Sequence, residues 1–571
     1  MTYPPSPIPP FPGLMRLLLI LRQTPQPPQF LALIRPLLVA ILGLMGSGCK
    51  DIQPTLHPLH RLPPLPQDPY VEVYFNQNPV LDYSEPYRGI TRPGDDLEQL
   101  IVETINSATS TVEVAIQELQ LPNIAQAIAR QHQSGVRVRV ILENTYNQAL
   151  SQLTPQQVAR LDERSKARYQ EWRHLIDRNQ DGVLSPEEIA QGDALVILNN
   201  AGVPLIDDTA DGSKGSGLMH HKFVIADGHT VIVTSANFTT SDIHGDFLSD
   251  ASRGNPNNLL KISSPALASL FQEEFNLMWG DGPGGEPDSL FGVQKPFRPK
   301  QWVNVGTSSV GVQFAPTGAR IPWAQSVNGA IANTLNRAIQ SVDLALFVFS
   351  KQQLSDTLYA RHRTGVQVRA LIDPSFAYRS YSEGLDMMGV ALPNQNCQYD
   401  QGNQPWSTPL DTVGVPQLPP GDRLHHKFAL LDDRLVITGS HNWSAAANTR
   451  NDETLLVIDS PIVAAHFRRE FERLYSTARL GLPTHIEARI EQQIQHCGNP
   501  TPVPALSPTA RINVNRATQQ ELEALPGIGP ALAERMITTR QEQPFTSVED
   551  LQRVSGIGPT LSERLRDLVT F

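Results

Sequence analysis

The sequence predicts an α/β fold of two homologous halves, each a sheet flanked by helices, followed by a small all-α domain. A repeat is the first observation behind this. LIVETINSATSTVEVAI and SGVRVRVIL in the first half return as IANTLNRAIQSVDLALFVF and TGVQVRALI in the second. The second observation is periodicity: amphipathic spacing alternates with short runs of Val, Ile and Leu, giving helix, buried strand, helix, buried strand in each copy. Such alternation covers both faces of a sheet with helices. The third is closure, since the copies end alike on FQEEFNLMW from Phe271 and FRREFERLY from Phe467.

Taken from the N-terminus, Arg35 precedes the apolar run PLLVAILGLM, which leads through Gly46, Ser47 and Gly48 to Cys49. This order of charged, apolar and small residues reads as a signal peptide over 1–48. The run is too short for a hydrocarbon core that needs about twenty residues. GSGC resembles the lipobox of bacterial lipoproteins with Cys49 as the lipidated residue, although Gly46 stands where that motif has Leu. The expectation is an exported protein, held on the extracytoplasmic side of a membrane by a lipid anchor or secreted; translation from Met15 is an alternative. Export leaves two readings of Cys397 and Cys497, a disulfide or two buried thiols. Three cysteines are too few for a zinc site or a disulfide framework.

A Pro-rich tether is expected over 49–69. The first half is placed at 70–280, a Gly/Pro-rich linker at 281–299 and the second half at 300–490. A further linker at 499–509 leads to the terminal domain at 510–571. The 46 basic against 57 acidic residues give a net charge of −11, so any anion site must be local. Gly135 aligns with Gly365 and His220 with His425; the spacings, 85 and 60 residues, leave 25 more in the first half. That insertion contains DRNQDGVLSPEE over 177–188. Asp177, Asn179, Asp181, Val183 (by its carbonyl), Ser185 and Glu188 match the EF-hand order of calcium ligands, with Gly182 for the sharp turn. A structural calcium ion is expected there, and none for catalysis.

The chemistry sits in HHKFVIADGHTVIVTSANFT and HHKFALLDDRLVITGSHNWS. Both resemble the H-x-K-x4-D-x6-G-S-x-N pattern of the phospholipase D superfamily. His425, Lys427, Asp432, Gly439, Ser440 and Asn442 match in the second half; His220, Lys222, Asp227, Ser235 and Asn237 match in the first, with Thr234 replacing Gly. The resemblance implies that the halves build one active site and that a phosphohistidine carries the substrate's phosphoryl group. Strand alternation puts each His and its Lys on one face. The cations, with the Ser and Asn donors, are expected to surround a phosphodiester. His220 is the expected nucleophile, oriented by Glu453, and His425 the general acid. Asn257 falls where an acid would orient His425, with Asp250 as a substitute. Asp227 and Asp432, though part of the motifs, read as structural acceptors beyond their strands. His221 and His426 point to the opposite face, into packing.

The tail, with PGIGP at Pro526–Pro530 and SGIGP at Ser555–Pro559, resembles the tandem helix-hairpin-helix domain of bacterial competence DNA receptors. Gly527, Gly529, Gly556 and Gly558 are its expected DNA-binding residues, bringing backbone N–H groups to phosphates. Its seven Arg against eight acidic residues leave it near neutral, and a protein-docking module is the other reading. The substrate is expected to be a nucleic acid, with phospholipid as the alternative.

Overall fold

The computed structural model describes residues 62–571, except 214–216, 401, 499–511, 518–521, 523, 524, 526, 527, 529, 559, 560, 563, 564 and 567. The expected signal peptide, Cys49, most of the tether, Gly527 and Gly529 lie outside the described residues.

The first half builds a seven-stranded sheet from β1 (Val71–Phe75), β2 (Thr111–Ile116), β3 (Arg137–Leu142), β4 (Leu205–Asp207), β5 (Lys222–Ala226), β6 (Thr230–Thr234) and β7 (Asn258–Ser263), in the order β1-β7-β6-β5-β2-β3-β4. The second half builds nine strands: β8 (Gln301–Val305), β9 (Ser308–Phe314), β10 (Ser341–Leu346), β11 (Gln367–Ile372), β12 (Val413–Val415), β13 (Lys427–Leu431), β14 (Leu435–Gly439), β15 (Thr454–Asp459) and β16 (Arg479–Leu480). Their order is β8-β9-β15-β14-β13-β10-β11-β12-β16. In both sheets the motif strand, β5 or β13, pairs antiparallel with the first strand of the repeat, β2 or β10.

The helices divide between two faces. α1 (Leu97–Ser107) and α2 (Pro122–Gln133) cover the first sheet on one side, burying Leu97, Ile101, Ile105, Ile124 and Ile128 against Val112 and Val114. On the other side α6 (Pro265–Trp279) packs against the sheet; α3 (Glu163–Ile176), α4 (Pro186–Gly192) and the one-turn α5 (Thr240–Ile243) lie between α2 and α6 in sequence. α7 (Val327–Leu335), α8 (Gln352–His362), α9 (Ala445–Thr449), α10 (Pro461–Tyr475) and α11 (Thr484–Cys497) serve the second half. The repeated closing helices α6 and α10 share one core cluster that draws on both sheets. Phe271 meets Phe314 at 5.1 Å and Phe75 meets Phe467 at 5.3 Å, edge to face.

Three segments near the expected boundaries are anchored to the halves. Residues 63–68 of the tether are docked: the Arg469 guanidinium donates to the Pro63 carbonyl (2.9 Å), and Asp68 accepts the N–H groups of Tyr70 and Val71 and the Ser308 hydroxyl. The linker 281–299 is anchored at its buried residues Ser289, Phe291, Gly292 and Lys295. Lys295 is buried between Glu274 of the first half and Asp452 of the second, 2.6 Å from the latter. The second half runs past 490, because α11 buries Ile486 and Ile490 and its last residue, Cys497, is disulfide-bonded to Cys397 with Cα atoms 5.2 Å apart.

The 25-residue insertion carries its own small core of Trp172, Leu175 and Ile176, with Leu184 and Ile189 packed against it. α3 and α4 flank the loop as a helix–loop–helix, and Gly182 holds φ at +77°. The loop's oxygens bond to its own amides: Asp177 accepts from Gly182 N–H (2.9 Å), Asp181 from Val183 N–H (2.7 Å), and Glu188 from the Ser185 N–H and hydroxyl (2.9 and 2.7 Å). Among the described residues no three acidic, His or Cys side chains converge as a metal cluster. The second oxygen of Asp177 is buried without a partner.

In the terminal domain α12 (Pro530–Glu542) and a parallel pair, β17 (Ile512–Asn513) with β18 (Val569–Thr570), enclose a core including Met536, Phe545, Leu551 and Leu565. Ile557 is buried there, whereas Gly556 and Gly558 on either side are exposed. Among the described residues no helix is long and apolar enough to cross a membrane.

Candidate active site

Each motif strand starts at its lysine, and the motif histidine precedes it by two residues on the same side. Lys222 Nζ donates to the carbonyl of His220 (3.0 Å) and Lys427 Nζ to that of His425 (2.5 Å). The chain around His220 is itself tied to the other half, its N–H donating to the Asp452 carbonyl at 2.9 Å. His220, His425, Lys222 and Lys427 are all buried.

The orienting groups are crossed between the halves. Nδ1 of His220 lies 2.7 Å from Glu453 of the second half; Nδ1 of His425 lies 3.0 Å from the side-chain oxygen of Asn257 of the first. Asn257 therefore takes the position itself, and exposed Asp250 is not used. The Asn257 amide is fixed by its other bonds, donating through Nδ2 to the carbonyls of Asp242 and Asn255. Its oxygen is then the acceptor, so Nδ1 of His425 carries a hydrogen.

The motif serines, expected as donors to a phosphodiester, bond these orienting side chains. Ser440 donates to Glu453 (2.6 Å) while accepting the Thr454 N–H (2.9 Å); Ser235 donates to Asn257 (2.7 Å) while accepting the Asn258 N–H (3.1 Å). Gly439 explains itself here. At φ +130° a Cβ would come 2.2 Å from the Thr454 carbonyl, displacing the strand that carries Glu453. In the first half the hydroxyl of Thr234 instead donates to the Asn258 carbonyl (2.6 Å). Asn237 and Asn442 are half-buried, and each has a side-chain oxygen with no partner among the described residues.

Asp227 and Asp432 stand away from the chemistry, as their position beyond the strand implied. Asp227 follows β5 at the end remote from His220, roughly 20 Å along the strand. It accepts the N–H groups of Thr109, Ser110 and Thr111, and Asp432 those of Ile339, Gln340 and Ser341. Burial opposes ionisation of Asp227, but these bonds outweigh it and hold the carboxyl well below the ordinary range. They pin the turn before β2 and β10. The doubled histidines pack as expected: His221 joins Thr454 and Glu274, and His426 joins Asn258 and Glu470.

Burial dominates the electrostatics. It pushes His220 down to about 4, Glu453 opposing and Lys222 assisting, and pushes Lys222 to about 8 and Lys427 to about 7. Burial also resists charging Glu453, yet His220, His441 and Lys222 hold its carboxyl at about 2. His425 falls well below its ordinary value through burial and the charges of Lys427, Lys222 and His220. Mutual influence of this kind requires all four cationic groups to gather at one place. Gln117 accepts from Lys222 at 3.1 Å. The ring of Phe347 lies 5.2 Å from Lys427 Nζ and 5.0 Å from the His425 ring.

Sequence reasoning missed Gln117, Phe347 and the buried Asp242, whose Oδ1 lies 3.6 Å from Nδ1 of His425. For Asp242 a signal existed: it stands seven residues after Ser235, where the second half has Ala447 after Ser440.

The profile of the family described as cardiolipin synthase, PLD-like domain, matches residues 101–279 and 331–475, more than half of the chain and both motifs. The chain belongs to this PLD-like family. A second profile, the helix-hairpin-helix motif, matches residues 507–570. The mitochondrial cardiolipin hydrolase of Xenopus tropicalis is 30% identical over 157 residues, which is 27% of this chain and 64% of that protein. Among solved structures, phosphatidylserine synthase of Haemophilus influenzae aligns over 76% of this PLD-like chain and 95% of its own, at 11% identity and a TM-score of 0.45. The phospholipase D family member Nuc of Salmonella typhimurium aligns over 31% and 100%, at 21% identity and a TM-score of 0.25.

Proposed function

We propose that the chain hydrolyses phosphodiesters through a phosphohistidine on His220, and that its substrate is a nucleic acid. One observation carries the phosphate site: Lys222 and Lys427 are buried, and among the described residues neither has a carboxylate within ion-pair distance. Lys295, equally buried, has two. A buried ammonium without a counter-ion is costly, and a phosphodiester supplies the missing charge.

The two histidines differ in a way that assigns their roles. With Nδ1–H directed at a carboxylate, His220 presents an electron-rich Nε2, and Glu453 balances the positive charge that develops as that nitrogen bonds to phosphorus. As the P–O bond to the leaving group breaks, His425, doubly protonated once the phosphodiester's charge offsets the neighbouring cations, gives its Nε2 proton to the departing oxygen. In the second step neutral His425 takes a proton from water, the water oxygen bonds to phosphorus and the P–N bond breaks. A phosphomonoester and free His220 result.

For the substrate, the helix-hairpin-helix match favours nucleic acid, with exposed Gly556 and Gly558 free to approach a backbone phosphate. The name of the Xenopus relative favours phospholipid as the second reading. The Cys397–Cys497 bond supports an exported protein, and a lipid anchor on Cys49 belongs to the same proposal. Calcium in the 177–188 loop is supported by its donor order and by the unpartnered oxygen of Asp177; its contribution there is to clamp α3 to α4.

The test uses protein lacking residues 1–49, given single- and double-stranded DNA and vesicles of cardiolipin or phosphatidylcholine. Turnover of DNA is expected, abolished by His220→Ala or His425→Ala. Truncation after Thr509 should weaken DNA binding and spare a small chromogenic diester. Vesicle hydrolysis without DNA cleavage would transfer the proposal to lipid.

A further inference from the structure

From the motif serine the halves run in step for seven residues, and strand pairing then sets Asn257 opposite Glu453 in the repeat, but their buried acids fall at different places. In the second half the acid is Glu453, in contact with His220, and Ala447 follows Ser440 by seven residues. In the first half the contact position is neutral Asn257, and Asp242 occupies the place of Ala447. Each histidine thus has one carboxylate behind Nδ1, delivered from a different position.

Asp242 is held firmly on α5. Its Oδ2 accepts the N–H of Asn237 at 2.7 Å and its Oδ1 accepts Nδ2 of Asn255 at 2.6 Å. The same Oδ1 faces Nδ1 of His425 at 3.6 Å, too long for the hydrogen bond that Asn257 makes at 3.0 Å. Around His425 stand Lys427, Lys222 and His220, all of which disfavour a second proton on its ring. A neutral amide cannot offset them.

We infer that Asp242 is the counter-ion of His425, a positioning residue that lets this imidazole hold the Nε2 proton until the leaving oxygen needs it. The inference rests on the phosphohistidine reading above. Separation serves the role: a carboxylate in direct contact would retain the proton more strongly, whereas one behind a neutral acceptor attracts it and still releases it. His220 has no proton to deliver and takes the direct contact.

The experiment compares two diesters of one phosphate, one losing an alkoxide and one losing p-nitrophenolate, which departs without a proton. Asp242→Asn preserves shape and the acceptor for Asn237 N–H. Its kcat should fall at least about tenfold on the alkyl ester and less than about twofold on the nitrophenyl ester, with KM unchanged. Equal losses on both, or no loss on the alkyl ester, would overturn the inference, since a merely structural role does not distinguish leaving groups. Should Asp242→Asn fail to fold, Asp242→Asn with Asn257→Asp keeps one carboxylate behind His425. Alkyl-ester turnover within about tenfold of wild type supports the inference there; turnover lost on the alkyl ester alone overturns it. Wild-type protein inactive on both esters overturns the phosphodiesterase reading itself.

Discussion

A lysine ammonium removed from water and left without a carboxylate sheds its proton early, and Lys222 and Lys427 sit at about 8 and about 7, mainly through burial. Unfolded, both would titrate near 10.5. The unfolded chain therefore binds more protons between these limits, and the two groups reduce stability progressively as pH falls from about 10.5 to about 7. His220, at about 4 against an ordinary 6.5, adds to the loss between those values; Glu453, at about 2, stabilises above its ordinary 4.5 and loses that contribution as pH falls toward 2. An anion in the site reverses the lysine effect by restoring both charges. Sulfate, which does not titrate in this range, should bind at pH 8 with uptake of protons and weaken as pH rises from 7 to 9. Calorimetry in buffers of different ionisation enthalpy measures this, and binding without proton uptake at pH 8 would contradict it. The His and Lys positions were legible in the sequence because strand alternation fixes their side. Asn257 was placed behind His425 by its alignment with Glu453, but Asp242 was not, since it reaches the ring from a short turn of helix whose course no periodicity records.

At the level of elements, the repeated helices and strands could be read directly, because burial on one or both faces imposes a period on the residues themselves. The Pro-rich segment read as an extended, semi-rigid tether, and its docking was not legible. Composition reports local stiffness, whereas docking depends on a distant surface such as α10, whose Arg469 holds Pro63. The insertion is intermediate: its helix–loop–helix was visible, its state of ligation was not. Leu184 and Ile189 tie the loop to the small core under α3, so a calcium ion at Asp177, Asp181 and Glu188 should act on that core. Chelation is expected to lower the melting temperature by several degrees, roughly 1–2 kcal/mol at this scale. Turnover of a small diester at 25 °C should change little, because the ligands lie outside both motifs. Activity lost at once in chelator, with the fold retained by circular dichroism, would place the metal in the chemistry instead.

At the level of the whole molecule, two sheets share a core, and each histidine takes its orienting side chain from the opposite half. Duplication was plain in the sequence; that the halves build one site, and that Glu453 and Asn257 serve the opposite histidines, was legible through family resemblance. A physical test follows from residues 283–287, an exposed run in the connection between halves. A protease site placed there should yield a nicked protein that stays assembled and active, while the two fragments, separated in denaturant, should each be inactive and regain turnover only when refolded together. Activity in one isolated fragment would sink the crossed arrangement. On the proposed phosphohistidine route the crossing makes hydrolysis a report on assembly: a chain released half-synthesised or half-folded holds a histidine without the side chain that orients it, and turns nothing over. A cell that makes such an enzyme is shielded from it until Glu453, just ahead of β15, has met His220.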